Sequence, residues 1–251
     1  VKFSDNEDGL DLYPRGGAPH SHSPLYYVRS ISERSPFSIS QVSEWIRGLS
    51  KKKLILGIVD EESDLTYYSV KFFRMRSKVE EPESYRGKIA VMGDRSMVWD
   101  EKLSKKLREN FMGRAFEENV VQLSLMETAY LAEKGADVFR GKKKISLKSF
   151  IKYAKKIQPD VERRLCVYRD MRGNGLIPKT GFKFGSHFRV YREQIGEGHA
   201  PYLVHVIPKN YTSTWTEISR AVRLANSVRK QMIFARVGDG IEYIRLKRMT
   251  P

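Results

Sequence analysis

The chain has 251 residues, of which 40% are hydrophobic and 30% charged, with a formal net charge of +16 and a pI near 9.8. A globular protein of one large or two smaller domains fits this length and composition. The charge favours a polyanionic partner, nucleic acid first, because a basic surface gains affinity by releasing counterions from phosphates; a merely basic protein is the alternative. No run of 18 apolar residues occurs, so no membrane contact is expected. A single cysteine, Cys166, excludes an intrachain disulfide and suits a reducing compartment. We therefore predict a cytoplasmic protein.

The first predicted elements lie between His22 and Met75 and have the order strand, helix, strand pair. An apolar strand, Leu25 to Val28, follows a His-Ser-Pro tripeptide. A Ser-rich link then offers N-caps for an amphipathic helix that Lys51 to Lys53 close at the negative end of its dipole. Two β-rich runs follow, Leu54 to Val59 and Leu65 to Phe73. The helix is predicted from apolar residues at helical spacing, namely Ile39, Val42, Trp45, Ile46 and Leu49.

A different unit follows, and it is predicted to be a small α+β domain. Pro82 and the charge run Lys78 to Glu83 predict a linker before it. Lys88 to Trp99 alternates like two short strands around MGDRS. Three helices are predicted at Asp100 to Phe111, Gln122 to Gly135 (with Ser124 as N-cap and a terminal glycine) and Ser146 to Ile157.

The first order of elements recurs near the end of the chain. A helix or strand, Val161 to Met171, leads into GNGLIPKTGFKFGSHFRVY, which is predicted to form hairpin strands. His199 to Met249 then parallels His22 to Met75. Its elements are an apolar strand (Tyr202 to Ile207), a helix closed by Arg229 and Lys230, and two β-rich runs (Met232 to Val237 and Ile241 to Leu246). The sequence therefore predicts an internal repeat.

Two parts of the sequence resemble one family. CVYRDMRGNGLIPKTGFKFGSHFRVYREQIGEGHAPYLVHV, followed by RAVRLANSVRKQMIFA, is similar to the catalytic half of the archaeal tRNA-splicing endonucleases. QLSLMETAYLAEKG is similar to the long helix of their N-terminal domain. The resemblance covers about Gly87 to Met249 and implies an archaeal enzyme with a silent repeat and a catalytic unit.

The fold class implied is mixed α/β and α+β. Two restriction-endonuclease-like C-terminal-type domains would flank a small α+β N-terminal-type domain. The expected boundaries are 1–78 for the structural repeat, 84–160 for the α+β domain and 161–251 for the catalytic domain.

The resemblance implies three catalytic residues, Tyr191, His199 and Lys230. Each has an ordinary alternative: a strand-end tyrosine, a loop histidine and a cation that closes a helix. Cleavage by the RNA 2′-hydroxyl needs a base, an acid for the departing 5′-oxygen and a cation for the transition state. The resemblance assigns the base to Tyr191, and an imidazole and an ammonium suit the other two roles. A 2′,3′-cyclic phosphate and a 5′-hydroxyl would result, and no cofactor or metal is expected.

Two arginines are expected to bind the RNA. In the family, an arginine pair around the catalytic lysine holds an unstacked bulge base, and Arg223 and Arg245 occupy similar places. Guanidinium planes stack on bases and also bind phosphates. The alternative is that Arg223 lines a helix face and Arg245 a strand face. The substrate implied is precursor tRNA with a bulge-helix-bulge.

The first repeat is expected to be silent. Tyr13, His22 and Lys52 fall near the catalytic positions, but an acidic insertion precedes Tyr13 and Pro14 follows it. The resemblance implies that an acidic hairpin tip docks into a basic cleft of a second chain, which predicts a homodimer. It also implies a further α+β domain before this repeat, on an additional N-terminal fragment or chain. The residues of the tip are Asp60, Glu61, Glu62 and Asp64.

Two rival functions stay open at this stage. A restriction-type DNA nuclease would need acidic metal ligands and a lysine on adjoining strands. No such cluster lies beside Tyr191 or His199 in the sequence. A noncatalytic RNA-binding or scaffold subunit is the second rival. Cleavage of a bulged RNA by the purified protein distinguishes an enzyme from such a subunit.

Overall fold

The computed structural model describes residues 5–6, 9–49, 52–117, 119–193, 195–196 and 198–249. The chain forms two compact units. Unit 1 comprises Val1–Arg74, Thr180–Arg189 and Pro201–Pro251, and unit 2 comprises Met75–Lys179 and Val190–Ala200. None of the described helices has the length and apolarity needed to cross a bilayer.

The described helices and strands have the following bounds. The helices are α1 (Ile39–Gly48), α2 (Glu101–Glu109), α3 (Leu125–Glu133), α4 (Leu147–Ile157), α5 (Val161–Gly173) and α6 (Trp215–Ser227), with a 3-10 turn at Phe182–Phe184. The strands up to the middle of the chain are β1 (Asp5–Asn6), β2 (Gly9–Leu12), β3 (Tyr26–Ser32), β4 (Phe37–Ser38), β5 (Lys53–Val59), β6 (Leu65–Phe72), β7 (Lys88–Met92), β8 (Arg95–Val98) and β9 (Arg114–Glu117). The later strands are β10 (Val120–Ser124), β11 (Asp137–Arg140), β12 (Lys143–Lys144), β13 (Ile177–Thr180), β14 (Phe188–Tyr191), β15 (Tyr202–Pro208), β16 (Thr212–Ser213), β17 (Gln231–Val237) and β18 (Ile241–Met249).

Unit 1 is built on one long sheet. Its strands follow the order β1-β2-β3-β5-β6-β18-β17-β15-β14. The β3/β5 and β15/β17 pairs are parallel, whereas β5/β6, β17/β18 and the central β6/β18 pair are antiparallel. The predicted order of strand, helix and strand pair is therefore confirmed for both segments. Whether the first segment is a repeat of the catalytic domain stays a prediction.

One apolar core lies between this sheet and the helices α1 and α6. Phe37 meets Trp215 edge-on with ring centroids 5.1 Å apart, and both side chains are fully buried. Residues of α1, α6, β5, β6, β15, β17 and β18 share this cluster. Burial of each large apolar side chain contributes about 1.5–3 kcal/mol, so the core fixes the helices against one face of the sheet.

The N-cap predicted in the Ser-rich link before α1 is present, and α6 is capped in the same way. The Ser38 side chain accepts from the Gln41 amide before α1, and Thr214 accepts from the Glu217 amide before α6. Strand β3 runs from Tyr26 to Ser32, further than predicted, because it pairs in parallel with all seven residues of β5. Lys51, predicted to close α1, lies outside the described residues.

Unit 2 contains a six-stranded sheet in the order β12-β11-β7-β8-β10-β9. The two strands predicted around MGDRS and the three predicted helices are confirmed. Ser124 forms a capping box with Glu127 at α3. The sequence patterns do not predict β9 and β10, and Gln122, predicted as helical, belongs to β10. The segment Val161 to Met171, for which the sequence left helix or strand open, lies in the helix α5.

The spatial units do not follow the expected boundaries at 78, 84 and 160. Helix α5 packs against α3 and α4 within unit 2, although 161–251 is expected to be one domain. Contacts in space define the two units, whereas the expected boundaries divide the sequence by its resemblance to the family. The expected boundaries therefore stay a prediction about the sequence.

The charge run Lys78 to Glu83, near the start of unit 2, is more than a solvated linker. The Glu81 carboxylate accepts from Tyr130 Oη at 2.6 Å and pairs with Arg172 at 3.0 Å. Arg172 is 5% exposed. Burial and Glu81 raise the pKa values of Tyr85 and Tyr130, so both phenols stay protonated and can donate. This network fastens the segment around Glu81 to α3 and α5.

Candidate active site

Lys230 lies where α6 turns into β17. Arg229 has a left-handed φ of 55°. The Lys230 amide then donates to the Ala225 carbonyl at 2.8 Å, and the next amide, of Gln231, donates to the Pro201 carbonyl at 2.9 Å. These bonds end the helix and fix the backbone position of Lys230, a half-buried residue.

The Lys230 side chain lies beside a ring and a second cation. Its Nζ is 5.6 Å from the Phe184 ring centroid. Burial and, to a smaller extent, the Arg189 guanidinium lower the pKa of Lys230. A phosphate next to Lys230 would counter both effects, since an opposite charge stabilises the ammonium. The surroundings of Lys230 therefore favour a bound anion.

Phe184 belongs to the TGFKFG stretch, which forms a tight turn. The Gly181 amide donates to the His187 carbonyl at 3.1 Å. A Cβ on Gly181 would collide with Ser186 Oγ, and Gly185 has a φ of 60°. Phe182 projects from this turn and is 86% exposed. The places of Phe184 and Arg189 beside Lys230, and the exposure of Phe182, could not be predicted from the sequence, because they depend on this turn.

Tyr191 and His199 bracket a loop in unit 2. Tyr191 is the last residue of β14 and is half-buried, and His199 is exposed. Ser77 Oγ donates to the carbonyl of Arg192, the residue after Tyr191. No local pattern signals this contact, because Ser77 lies 115 positions earlier in the chain.

Ser77 itself is held by a close approach of two backbones. Its amide donates to the Asn174 carbonyl at 2.9 Å. Gly175 has a φ of 73°, and a Cβ there would lie 2.6 Å from the Ser77 carbonyl oxygen. Tyr191 and His199 thus belong to unit 2 and Lys230 to unit 1. The meeting of all three at one phosphate stays a prediction.

Arg245 lies on the face of β18 opposite the apolar core. Its guanidinium is 5.2 Å from the Phe73 ring centroid, and Nη1 donates to Gln231 Oε1 at 3.1 Å. Burial lowers the pKa of Arg245. The pKa of Lys71, its partner across the strands, is also lowered, by burial and then by Arg245 and Lys53. Three cations and a ring at one place suit a phosphate and a base.

Arg223 has different neighbours. It is exposed on α6, on the core side of the sheet. With Arg248, Ser219 and Trp215 among others, it lines a cavity of about 180 Å³. A single base held by Arg223 and Arg245 together therefore stays a prediction.

In the first segment, the predicted equivalent of the catalytic lysine forms an ion pair. Lys52 Nζ lies 2.9 Å from both carboxylate oxygens of Asp11, which is 5% exposed. His22 is exposed and its Nδ1 bonds to Ser21 Oγ at 2.9 Å, and Tyr13 is half-buried. Lys52 thus already has a carboxylate where a catalytic lysine would receive a phosphate.

The acidic tip is an exposed turn between β5 and β6. Asp60 Oδ1 accepts from the amides of Glu62 at 3.0 Å and Asp64 at 2.9 Å. Glu61 pairs with Arg34 at 2.7 Å on the surface. Asp60 therefore shapes the turn, whereas Glu62 is displayed on it. Within the described ranges, no three His, Cys, Asp or Glu side chains are grouped so that they could hold a metal ion.

Comparisons with known proteins identify the family of the chain. The family model described as "tRNA intron endonuclease, catalytic C-terminal domain" matches residues 161–243, and "tRNA intron endonuclease, N-terminal domain" matches 87–151. A tRNA-splicing endonuclease of Methanococcoides burtonii is 39% identical over 249 residues, which are 95% of this chain and 71% of that protein. One of Haloferax volcanii is 33% identical over 250 residues, 96% of this chain and 69% of that protein.

The matched catalytic domain makes the protein an endonuclease. The chain belongs to the tRNA-splicing endonuclease family, as the resemblance of its motifs predicted. The mixed α/β fold expected for that family is also confirmed.

Proposed function

We propose that the protein cleaves precursor tRNA at intron–exon junctions within a bulge-helix-bulge, without a metal or other cofactor. The supporting observation is that the catalytic-domain match, 161–243, contains Tyr191, His199 and Lys230, together with surroundings of Lys230 that favour an anion. The relatives are tRNA-splicing endonucleases, which points to the same substrate.

Each residue has one role in the proposed reaction. The Tyr191 oxygen takes the proton of the 2′-hydroxyl, which attacks the neighbouring phosphorus. The His199 imidazolium protonates the 5′-oxygen as its bond to phosphorus breaks. Lys230 stabilises the charge that develops on the phosphate oxygens. The products are a 2′,3′-cyclic phosphate and a 5′-hydroxyl, so protons and charge balance without added water.

The test uses purified protein and an intron-bearing precursor tRNA in excess EDTA. We expect cleavage at both junctions, with cyclic phosphate ends identified by their resistance to phosphatase. Tyr191→Phe, His199→Ala and Lys230→Ala should each lower the single-turnover rate at least about 100-fold, the order of a general acid–base contribution. Their RNA affinity should change less than about threefold.

The control variant is Lys209→Ala, which removes an exposed lysine paired with Asp239 and should leave the rate unchanged. Two results would contradict the proposal. Loss of all cleavage in EDTA would indicate a metal-dependent nuclease. Binding without cleavage by the native protein would indicate an RNA-binding scaffold.

The first segment is proposed to be a silent repeat of the catalytic domain, on the boundaries 1–78, 84–160 and 161–251. The shared order of elements and the pairing of Lys52 with Asp11 support this.

Arg223 and Arg245 are proposed to hold an unpaired base of the substrate. The guanidinium of Arg245 beside the ring of Phe73 supports that role.

We also propose a homodimer joined by the acidic tip, Asp60 to Asp64. Two symmetric cuts need two active sites at a fixed separation, which a two-fold assembly supplies. The exposed carboxylates of the tip suit a basic cleft, since opposite potentials fix partner and register.

A cytoplasmic location is proposed from the unpaired Cys166 and the tRNA substrate.

A further inference from the structure

A strongly basic surface lies on unit 2, outside the matched catalytic domain. Between Arg140 and Ile157 the chain has eight Lys or Arg residues and no Asp or Glu, which is half of the net charge of +16. The segment comprises the turn between β11 and β12 and the helix α4. Its cations, called here the α4 basic surface, are Arg140, Lys142, Lys143, Lys144, Lys148, Lys152, Lys155 and Lys156.

The turn and the helix are joined into one surface. The Arg140 guanidinium lies 4.5 Å from the Tyr153 ring centroid. Tyr153 Oη donates to the Gly93 carbonyl at 2.8 Å. Phe150 and Ala154 are fully buried on the inner face of α4. These contacts orient α4 so that its lysines face outward beside the turn.

Most of this charge is not neutralised within the chain. In the part of the chain that the structure describes, two of the eight cations form ion pairs, Lys144 with Asp137 and Lys155 with Glu162. Exposed pairs of this kind contribute little, about 0–1 kcal/mol. Lysines four positions apart on a helix repel each other. The attraction of these lysines to a bound polyanion would offset that repulsion.

The spacing favours a phosphate backbone over base recognition. Lys148, Lys152 and Lys156 are exposed and stand four residues apart, so they form one stripe on α4. At about 1.5 Å rise per residue the stripe is roughly 12 Å long, enough for several phosphates of one strand. Lysine is a compact charge without the planar fork that reads base edges, and phosphate contacts position a nucleic acid without reading its sequence.

We propose that the α4 basic surface binds the phosphate backbone of the precursor tRNA outside the bulge-helix-bulge. The inference rests on the proposed function for its substrate. Recognition of the bulge is assigned to Arg223 on α6 and Arg245 on β18, whereas these lysines lie before residue 161, outside the matched catalytic domain. The surface therefore supplies affinity for the body of the tRNA, which a short bulged hairpin lacks.

The test compares two RNAs, an intron-bearing precursor tRNA and a short hairpin that contains only the bulge-helix-bulge. The variant is Lys148→Glu, Lys152→Glu, Lys156→Glu. Its KM for the precursor should rise about tenfold or more at 0.15 M salt, and the slope of log affinity against log salt should fall by about 2–3, one for each lost phosphate contact. Its kcat/KM for the hairpin should stay within about twofold of native.

The matched control carries the same charge change elsewhere on unit 2. Lys102→Glu, Lys105→Glu, Arg108→Glu alters three exposed cations of α2 and should leave the KM for the precursor within about twofold of native. An unchanged precursor KM in the α4 variant, or equal losses in both variants, would overturn the proposal.

The two proposals can fail separately. If the native protein cleaves neither RNA, the proposed function is wrong, and filter binding of the uncut precursor still measures the surface. If the native protein cleaves both RNAs and the α4 variant loses the same share of kcat/KM on each, only the assignment to the tRNA body is wrong. Circular dichroism of each variant shows that the fold is retained.

Discussion

Phe182 is the residue whose environment is hardest to explain by folding alone. A phenylalanine that is 86% exposed gains almost nothing from burial. It is nevertheless held in a turn between Gly181 and Gly185. The same turn supplies Phe184, which lies beside Lys230. An exposed ring, in a turn whose other phenylalanine lies beside Lys230, suits the stacking of an unpaired base.

We therefore expect Phe182→Ala to weaken binding of the bulged RNA about tenfold, since base stacking on an aromatic side chain contributes about 1–3 kcal/mol. Phe182→Trp should retain the affinity, because a larger ring also stacks. Fluorescence anisotropy with the short hairpin measures both. Phe116→Ala, which removes a ring that is 63% exposed on β9, is the control. Equal affinities for native protein and Phe182→Ala would exclude the stacking role.

Among the helices and strands, local patterns predicted most of the fold. Ser38 and Ser124 cap their helices as the sequence indicated, because capping depends on residues three positions away. Strand β9 was not predicted, because its four exposed residues, Arg114–Glu117, lack the apolar alternation of a strand. Strand β10 was not predicted, because the predicted helix begins at Gln122, within that strand. The charge pattern around Glu81 predicted only a linker, because its partner Arg172 lies 91 positions later. Contacts of that range leave no local pattern.

Less of the candidate site than of the fold could be predicted from local sequence patterns. Tyr191, His199 and Lys230 came from a family resemblance and not from their spacing, which alone allows ordinary surface roles. Ser77 and Gly175 were not predicted at all, because a close approach of two backbones depends on tertiary structure. Their contact bears on the loop that carries Tyr191.

Gly175→Ala tests whether the segment 75–80 positions that loop. The new Cβ would lie 2.6 Å from the Ser77 carbonyl oxygen at a φ of 73°, so the segment must move. Displacement of Tyr191 by about 1 Å should lower kcat roughly 10- to 100-fold and leave KM within about threefold. Gly173→Ala is the control, because no atom lies within 4 Å of its new Cβ.

A second pair of variants separates positioning from folding. Ser77→Ala removes the bond to the Arg192 carbonyl and keeps the backbone, so kcat should fall with little change in melting temperature. Ser77→Thr keeps a hydroxyl and should restore most of the rate. A native kcat in Ser77→Ala and in a folded Gly175→Ala would show that the segment has no part in positioning Tyr191.

For the molecule as a whole, the acidic tip decides the proposed assembly. Asp60 accepts hydrogen bonds from two backbone amides, so its replacement would disturb the turn as well as the charge. Glu61 and Glu62 are exposed, and the Arg34–Glu61 pair is a surface contact that contributes about 0–1 kcal/mol. The charges of both glutamates can therefore be reversed with little loss of stability.

We expect Glu61→Lys, Glu62→Lys to sediment as a monomer at low salt, where the native protein sediments as a dimer, because two reversed charges per tip would repel a basic cleft. The control is Asp239→Lys in the turn between β17 and β18, where the carboxylate is 92% exposed and pairs with Lys209. This variant should remain a dimer. High salt should weaken the native dimer, since a Debye length of about 3 Å at 1 M screens exposed charges. If the doubly reversed protein keeps the native sedimentation coefficient, the acidic tip does not hold the chains together, and the two active sites must be paired by another surface.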